Sequence, residues 1–268
     1  MKIGKKEFIT GNTYVMGILN VTPDSFSDGG RYMKMDDALA HVEEMIKEGM
    51  DIVDIGGEST RPGYTQISDD EEISRVVPVI ERVKAEFDIP ISLDTYKSKV
   101  AKAGIDAGAD MINDIWGLKH DDKLAEVIVQ TGVPCCLVHN RKDADYKDYM
   151  KEILLDFEES IELVRKAGIA DDKIILDPGI GFGKTYENNL EIIRRLEVLH
   201  SFGYPIMLGT SRKSVIGQAL DLSESERVEG TIVTTAFAVK KGAMFLRVHD
   251  VKANVRAIRM TRAILDGR

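Results

Sequence analysis

The chain has 268 residues, 43% hydrophobic and 30% charged, enough to bury one full core without disulfide or metal staples. Its formal charge of −9 argues against a nucleic-acid backbone as partner, because phosphate binding needs a basic field. No apolar run reaches the roughly 18 residues of a membrane span, and the charged N-terminus lacks an apolar signal core, so a cytoplasmic protein is expected.

In chain order, the first dozen residues, with Gly4 and a Gly11-Asn12 turn, read as a small hairpin. Tyr14 to Leu19 is an apolar strand that delivers one amide, Asn20, to its carboxyl end. Val21 to Gly30 (VTPDSFSDGG) then supplies turn and polar residues with a double glycine as hinge. Helical periodicity starts near Asp36, which makes this connection about twice the usual two to six residues, and loops of that length usually carry function. A plain surface loop is the alternative.

Seven more apolar runs follow, each ending in side chains that bind or react. Asp51–Glu58 precedes a helix over Asp69–Phe87, whose Ser68-Asp69-Asp70-Glu71-Glu72 start sets carboxylates on the positive end of the helix dipole. Ile89–Thr95 precedes Lys97–Ala107, and Asp110–Gly117 precedes Asp121–Thr131. Pro134–Arg141 contains Cys135 and Cys136, which as strand neighbours point to opposite faces and read as core rather than as a disulfide. The next helix, Met150–Ala167, keeps Ile153, Leu154, Phe157, Ile161 and Val164 on one face. Lys173–Gly179 and Tyr186–Leu199, Pro205–Arg212 and Ser223–Lys241, and Met244–Asp250 and Val251–Leu265 complete the alternation.

Strands that are apolar throughout are expected of a parallel sheet covered on both sides. Eight strand-then-helix units predict an α/β fold, a (β/α)8 TIM barrel with a short N-terminal hairpin closing its bottom, as one domain over residues 1–268. A doubly wound open sheet is the rival, but it usually has fewer strands and a Gly-rich first turn that is absent here. In a barrel the strand ends converge on one face, so Asn20, Asp54, Asp94, Asn113, His139, Asp177, Ser211, Arg247 and His249 are expected to line one mouth.

Several long motifs stand in order: Gly17–Gly30 (GILNVTPDSFSDGG), Asp54–Gly63 (DIGGESTRPG), Leu93–Thr95 (LDT), Ile112–Asp114 (IND), Leu176–Lys184 (LDPGIGFGK), Gly209–Gly217 (GTSRKSVIG) and Leu246–Asp250 (LRVHD). With them the chain resembles dihydropteroate synthases over nearly its whole length. One departure is Val138-His139-Asn140-Arg141, where the family carries a His-Met-containing run in the wall of its pterin pocket. The resemblance implies condensation of 4-aminobenzoate with (7,8-dihydropterin-6-yl)methyl diphosphate, giving 7,8-dihydropteroate and pyrophosphate with Mg2+ present. It also implies inhibition by sulfonamides and a homodimer, for which the Ser223–Lys241 helix with Ile232, Val233, Phe237 and Val239 is a candidate face. Simple packing of that helix on the barrel is the alternative.

The residues suit that chemistry. A dihydropterin presents an edge rich in N–H donors plus one carbonyl, and a buried Asp accepts two such bonds in a fork. Asp177 ends an apolar strand, Asp94 and Asn113 offer acceptors on neighbouring strands, and Lys213 can donate to the pterin carbonyl and ring nitrogen. Asp94, followed by Thr95, is equally placed to cap the next helix. Arg247 and His249 share a strand face and, with Val248 between them and Asn20, Thr60 and Arg61 at other strand ends, form a candidate diphosphate cup. By resemblance Asn20 also contacts Mg2+. One amide oxygen is a weak ligand, so that metal must rely on diphosphate oxygens and water.

Ser211-Arg212-Lys213 precedes a helix starting near Ser214, whose free N–H groups suit the aminobenzoate carboxylate; an ordinary N-cap serine is the alternative. Phe26, Pro62 and Phe182 are candidate walls for the phenyl ring. Asp24 or Asp28 enters the site only if the first loop folds inward. Gly179–Lys184 lacks a P-loop ending and reads as a mobile loop.

Asp94, Lys213, Arg247 and His249 are the expected catalytic groups. No base for the neutral aryl amine and no covalent nucleophile is evident, which points to SN1-like departure of pyrophosphate. A pterin carrier would need no Arg247–His249 pair. A pterin-using methyltransferase barrel would lack the Ser-Arg-Lys and Arg-Val-His runs and would need a cobalamin partner.

Overall fold

The computed structural model describes residues 1–21, 31–58 and 65–267, the side chains of 31–34 excepted. Strands β3 (Tyr14–Asn20), β4 (Ile52–Gly56), β5 (Ile91–Asp94), β6 (Met111–Asp114), β7 (Cys135–Val138), β8 (Ile174–Asp177), β9 (Met207–Leu208) and β10 (Phe245–Val248) pair in parallel, in the order β8-β7-β6-β5-β4-β3-β10-β9. The row closes where Leu176 bridges Ile206, the Leu176 N–H donating to the Pro205 carbonyl at 2.9 Å. Helices α1 (Arg31–Glu48), α2 (Asp69–Glu86), α3 (Ser98–Ala107), α4 (Asp122–Thr131), α5 (Tyr149–Ala167), α6 (Tyr186–Arg194), α7 (Ser214–Leu220), α8 (Val228–Lys240) and α9 (Val251–Asp266) alternate with the strands, α7 and α8 both following β9. This is the expected (β/α)8 barrel.

Side-chain alternation builds its two cores. Val15, Leu19, Val53, Ile55, Leu93, Ile112, Cys135, Leu137, Leu176, Leu246 and Val248 face the helices. Met16, Ile52, Met111, Cys136, Ile175, Met207 and Phe245 fill the barrel interior instead. Four of these inward rows turn polar two residues further on: Ile52 leads to Asp54, Met111 to Asn113, Ile175 to Asp177 and Phe245 to Arg247. The two-residue period thus sets a polar layer directly above an apolar floor. Both cysteines are free and buried, one in each core.

Below that floor β1 (Lys2–Ile3) and β2 (Lys6–Glu7) pair antiparallel as the expected hairpin. Ile3 and Phe8 are fully buried in the interior cluster, and the Phe8 ring lies 4.8 Å from Tyr14 and 5.4 Å from Phe245. Ser68 caps α2 by accepting from the Glu71 N–H.

Three helix boundaries differ from expectation. α1 begins at Arg31 rather than near Asp36, because Arg, Met and Lys sustain a helix where no apolar period marks it. After Arg194 the chain tightens into a 3-10 segment, Leu196–Phe202. The helix expected over Ser223–Lys241 is a 3-10 turn followed by α8. It breaks at Arg227, whose guanidinium donates to the Leu222 carbonyl at 3.1 Å and to that of Arg212 at 2.9 Å. Among the described residues no helix is long and apolar enough to cross a membrane.

Candidate active site

The polar layer meets at the carboxyl ends of the strands. Asp94 of β5 stands in register with Asn113 of β6 on one side and Gly56 of β4 on the other, and Gly56 is in register with Asn20 of β3. Asp54, Asp94, Asn113 and Asp177 are each at least nine-tenths buried, which for carboxylates demands compensating partners. Arg247 supplies two of them: its Nε donates to Asp54 Oδ2 at 2.6 Å and its Nη2 to Asp94 Oδ2 at 2.7 Å. One guanidinium therefore spans two carboxylates, and Asp54 Oδ1, Asp94 Oδ1 and Asn113 Oδ1 are buried acceptors without a hydrogen-bond partner among the described residues. Asp177 Oδ1 accepts from the Gly179 N–H at 2.7 Å.

Glycines keep this space open. A Cβ at Gly209 would sit 3.7 Å from both Asp177 Oδ2 and Arg247 Cβ, and one at Gly56 3.5 Å from Asp94 Cβ and 3.8 Å from Asn20 Oδ1. Lys213 enters from the start of α7. Its Nζ donates to the Ile180 carbonyl at 2.5 Å and lies 4.7 Å from the centre of the Phe182 ring. Burial pushes the Asp94 carboxyl up to about 7 against the pull of Arg247, with Asp54 adding to the rise. Burial likewise lowers the Lys213 ammonium to about 8, and Asp177 opposes that shift. Burial raises Asp177 as well, with Lys213 the main opposing charge.

Asn20, Asp94, Asn113, Asp177, Ser211, Lys213, Arg247 and His249 are thus brought to one mouth, and Phe182 lies beside Lys213. Several expectations need correction. Asp94 does not cap α3, whose first turn is preceded by Lys97. Ser211 does not cap α7, because its Oγ accepts from the His249 backbone N–H at 3.1 Å and pairs with His249 Nδ1 at 3.0 Å. The fork of Arg247 is turned onto Asp54 and Asp94, which leaves Nη1 as the nitrogen clear of those carboxylates. The Val248 side chain packs in the helix-facing core, which leaves only its backbone for the expected cup.

His139 turns away from the mouth as the odd-numbered neighbour of Val138, and its Nε2 pairs with Asp156 on α5 at 2.8 Å. Gly179–Lys184 is tied to its neighbours, with the Gly181 N–H on Asn189 Oδ1 at 2.7 Å and the Tyr146 hydroxyl on the Gly183 carbonyl at 2.9 Å. Asp24, Phe26, Asp28, Thr60, Arg61 and Pro62 lie outside the described residues. Sequence reasoning placed Asp54 at the mouth without a role; its signal was the Asp-x-Gly spacing, which puts it one inward step below Gly56.

Among the described residues no group of three His, Cys, Asp or Glu side chains stands ready to hold a metal ion. Asn20 offers one half-buried amide oxygen, and the neighbouring Asp94 is bonded to Arg247. The donor set therefore fits Mg2+ only as an ion carried largely by diphosphate oxygens and water.

Residues 16–249 match the family model described as Pterin binding enzyme. The dihydropteroate synthase of Clostridium beijerinckii is 58% identical over 267 residues, covering 99% of each chain. A crystal structure of the Clostridium difficile dihydropteroate synthase in the presence of pteroic acid superposes with a TM-score of 0.93, at 50% identity and 98% coverage of both chains. That of the Xanthomonas albilineans enzyme with 4-aminobenzoic acid gives 0.91, at 41% identity and 95% and 93% coverage. With the barrel, the acceptor row and these likenesses together, the chain belongs to the dihydropteroate synthases of the pterin-binding enzyme family.

Proposed function

We propose that the barrel mouth joins 4-aminobenzoate to (7,8-dihydropterin-6-yl)methyl diphosphate, and that the C–O bond breaks before the amine attacks. The observation that carries this reading is the row of buried inward acceptors, Asp94, Asn113 and Asp177, facing space kept open by Gly56 and Gly209. An aminopyrimidinone edge supplies the N–H donors such acceptors require. Asp177 and Asn113 take that edge, and Lys213, which has ammonium protons beyond the one on Ile180, meets the ring carbonyl.

In the reaction the bond from the exocyclic methylene carbon to the diphosphate oxygen breaks heterolytically, and its electron pair leaves with pyrophosphate. The positive charge spreads into the pterin ring nitrogens. Asp94, whose buried Oδ1 has no hydrogen-bond partner among the described residues, stands beside that charge and stabilises it. Arg247 Nη1 and His249 hold the departing oxygens. Asn20 is the described side chain that would touch a Mg2+ ion carried by the diphosphate, and such an ion would supply positive charge to the leaving group. The amine lone pair of aminobenzoate then forms the C–N bond, and its surplus proton passes to pyrophosphate or water. The aminobenzoate carboxylate lies toward the start of α7, and sulfonamides compete as analogues of the same aryl amine. Phe182, beside Lys213, is the described side chain suited to wall the ring.

A homodimer in the cytoplasm completes the proposal. Val233 and Phe237 on α8, with Met260, Ile264 and Leu265 on the adjoining α9, are exposed apolar side chains suited to an isologous contact. Val239 is buried within its own protomer and takes no part. Pyrophosphate release from the two substrates tests the reaction, and a series of substituted aminobenzoates tests its order. The chemical step should be nearly insensitive to amine basicity. A steep rise with basicity would mean direct displacement and would overturn the cationic route.

A further inference from the structure

The loop from Gly179 to Thr185 is docked, backbone against backbone, on the segment leaving β7. Gly179, Gly181 and Gly183 all have positive φ, and a Cβ at Gly179 would collide with the His139 carbonyl, one at Gly183 with that of Arg141. Only glycine permits both the conformation and the close approach. At the end of this run the Lys184 Nζ donates to His139 Nδ1 at 2.7 Å, to the Phe182 carbonyl at 2.9 Å and to the His139 carbonyl at 3.3 Å. Its three donors are all used, and none reaches the mouth.

His139 is fixed in turn. It accepts at Nδ1, so its proton sits on Nε2 and is donated to Asp156 Oδ2 at 2.8 Å. Asp156 is clamped by Arg141, Nε to Oδ2 at 2.6 Å and Nη2 to Oδ1 at 3.0 Å, while Arg141 Nη1 holds Glu152 at 2.9 Å. Burial and the neighbouring Lys184 charge keep His139 neutral, lowering it to about 4. The mechanism above uses none of these four groups. Yet the loop they hold presents the Ile180 carbonyl, which receives Lys213 at 2.5 Å, and the Phe182 ring beneath the same ammonium.

We propose that Lys184, seated on the His139–Asp156–Arg141 chain, is a positioning residue that sets Lys213 for pterin through the Ile180 carbonyl and the Phe182 ring. This rests on the proposed role of Lys213. Because Lys184 acts through Lys213, the two should not add.

The test is calorimetry of 6-hydroxymethylpterin with wild type, Lys184→Met, Lys213→Met and the double variant. Lys184→Met should weaken binding about tenfold, the usual scale for losing one charged hydrogen bond. In the Lys213→Met background it should change binding by less than about twofold. His139→Leu removes the acceptor from the other side and should match Lys184→Met. His139→Asn keeps an oxygen near the Nδ1 position and should stay within about threefold of wild type. That histidine pair decides the question if Lys184→Met fails to fold. Additive losses, or unchanged pterin affinity with only a lowered Tm, would overturn the positioning role. Absence of pyrophosphate release from the wild type would refute the proposed reaction alone, since the binding cycle needs no turnover.

Discussion

Asp177→Asn is the sharpest probe of the pocket, because the structure fixes which way the new amide must point. In the wild type Oδ1 accepts from the Gly179 N–H at 2.7 Å, and a Cβ at Gly209 would lie 3.7 Å from Oδ2. An asparagine keeps its oxygen toward Gly179, since an NH2 there would face another N–H. Its amide nitrogen is thereby turned into the mouth, against the donor edge of the pterin. One charge-assisted bond, worth about 1.5–3 kcal/mol, is lost, and a ligand N–H is left facing a donor at a further cost of about 1–3 kcal/mol. The sum is about 2.5–6 kcal/mol, or at least roughly a 60-fold rise in Kd. Calorimetry with a simple pterin measures it, with thermal melting to show that the variant is folded. The neutral amide also removes a carboxylate whose ionisation burial already disfavours, so loss of fold is not the expected outcome. A folded Asn variant that binds pterin within about threefold of wild type would show that the donor edge does not meet Asp177.

Asp94→Asn should lower kcat by roughly 10² to 10³, a typical loss for one preorganised electrostatic contact, as read by pyrophosphate release. Asp94 is raised to about 7 and must be ionised, whereas Lys213 is lowered to about 8 and must be protonated. Activity therefore falls as pH drops below about 7 and again as it rises above about 8, and kcat/KM for the pterin substrate should trace a narrow bell; a flat profile across this range would count against both roles. Aminobenzoate or a sulfonamide should bind the empty protein at least about tenfold more weakly than the protein holding pterin and pyrophosphate, and equal affinities would dismiss the coupling. Phe8→Ala, at the foot of the barrel, should cost about 3–5 kcal/mol in denaturant unfolding, because its fully buried ring packs on Tyr14 and Phe245.

The barrel is legible in the sequence because its signals are local. Apolar runs such as Lys173–Gly179 and helical faces such as Ile153, Phe157, Ile161 and Val164 repeat at fixed spacing, and parallel strands carry their ends to one side. Chain parity alone put Arg247 and His249 on one face and Cys135 and Cys136 on opposite ones. Parity also sets His139 on the face of Cys135 and Leu137, but only the closed barrel makes that face the outer one. Where side-chain partners come from distant strands, sequence had nothing to say. Arg247 meets Asp54 and Asp94 across 193 and 153 residues of chain, and Ser211 meets His249 across 38. Closing the barrel brings these groups together, and burial then forces each charge to find a partner, so which hydrogen bonds form is a property of the closed ring. The glycines of Gly179–Gly183 show the same division. Their number announced an unusual loop, but whether it cradled a phosphate, swung free or lay docked against His139 and Arg141 depended on what the fold placed beside it.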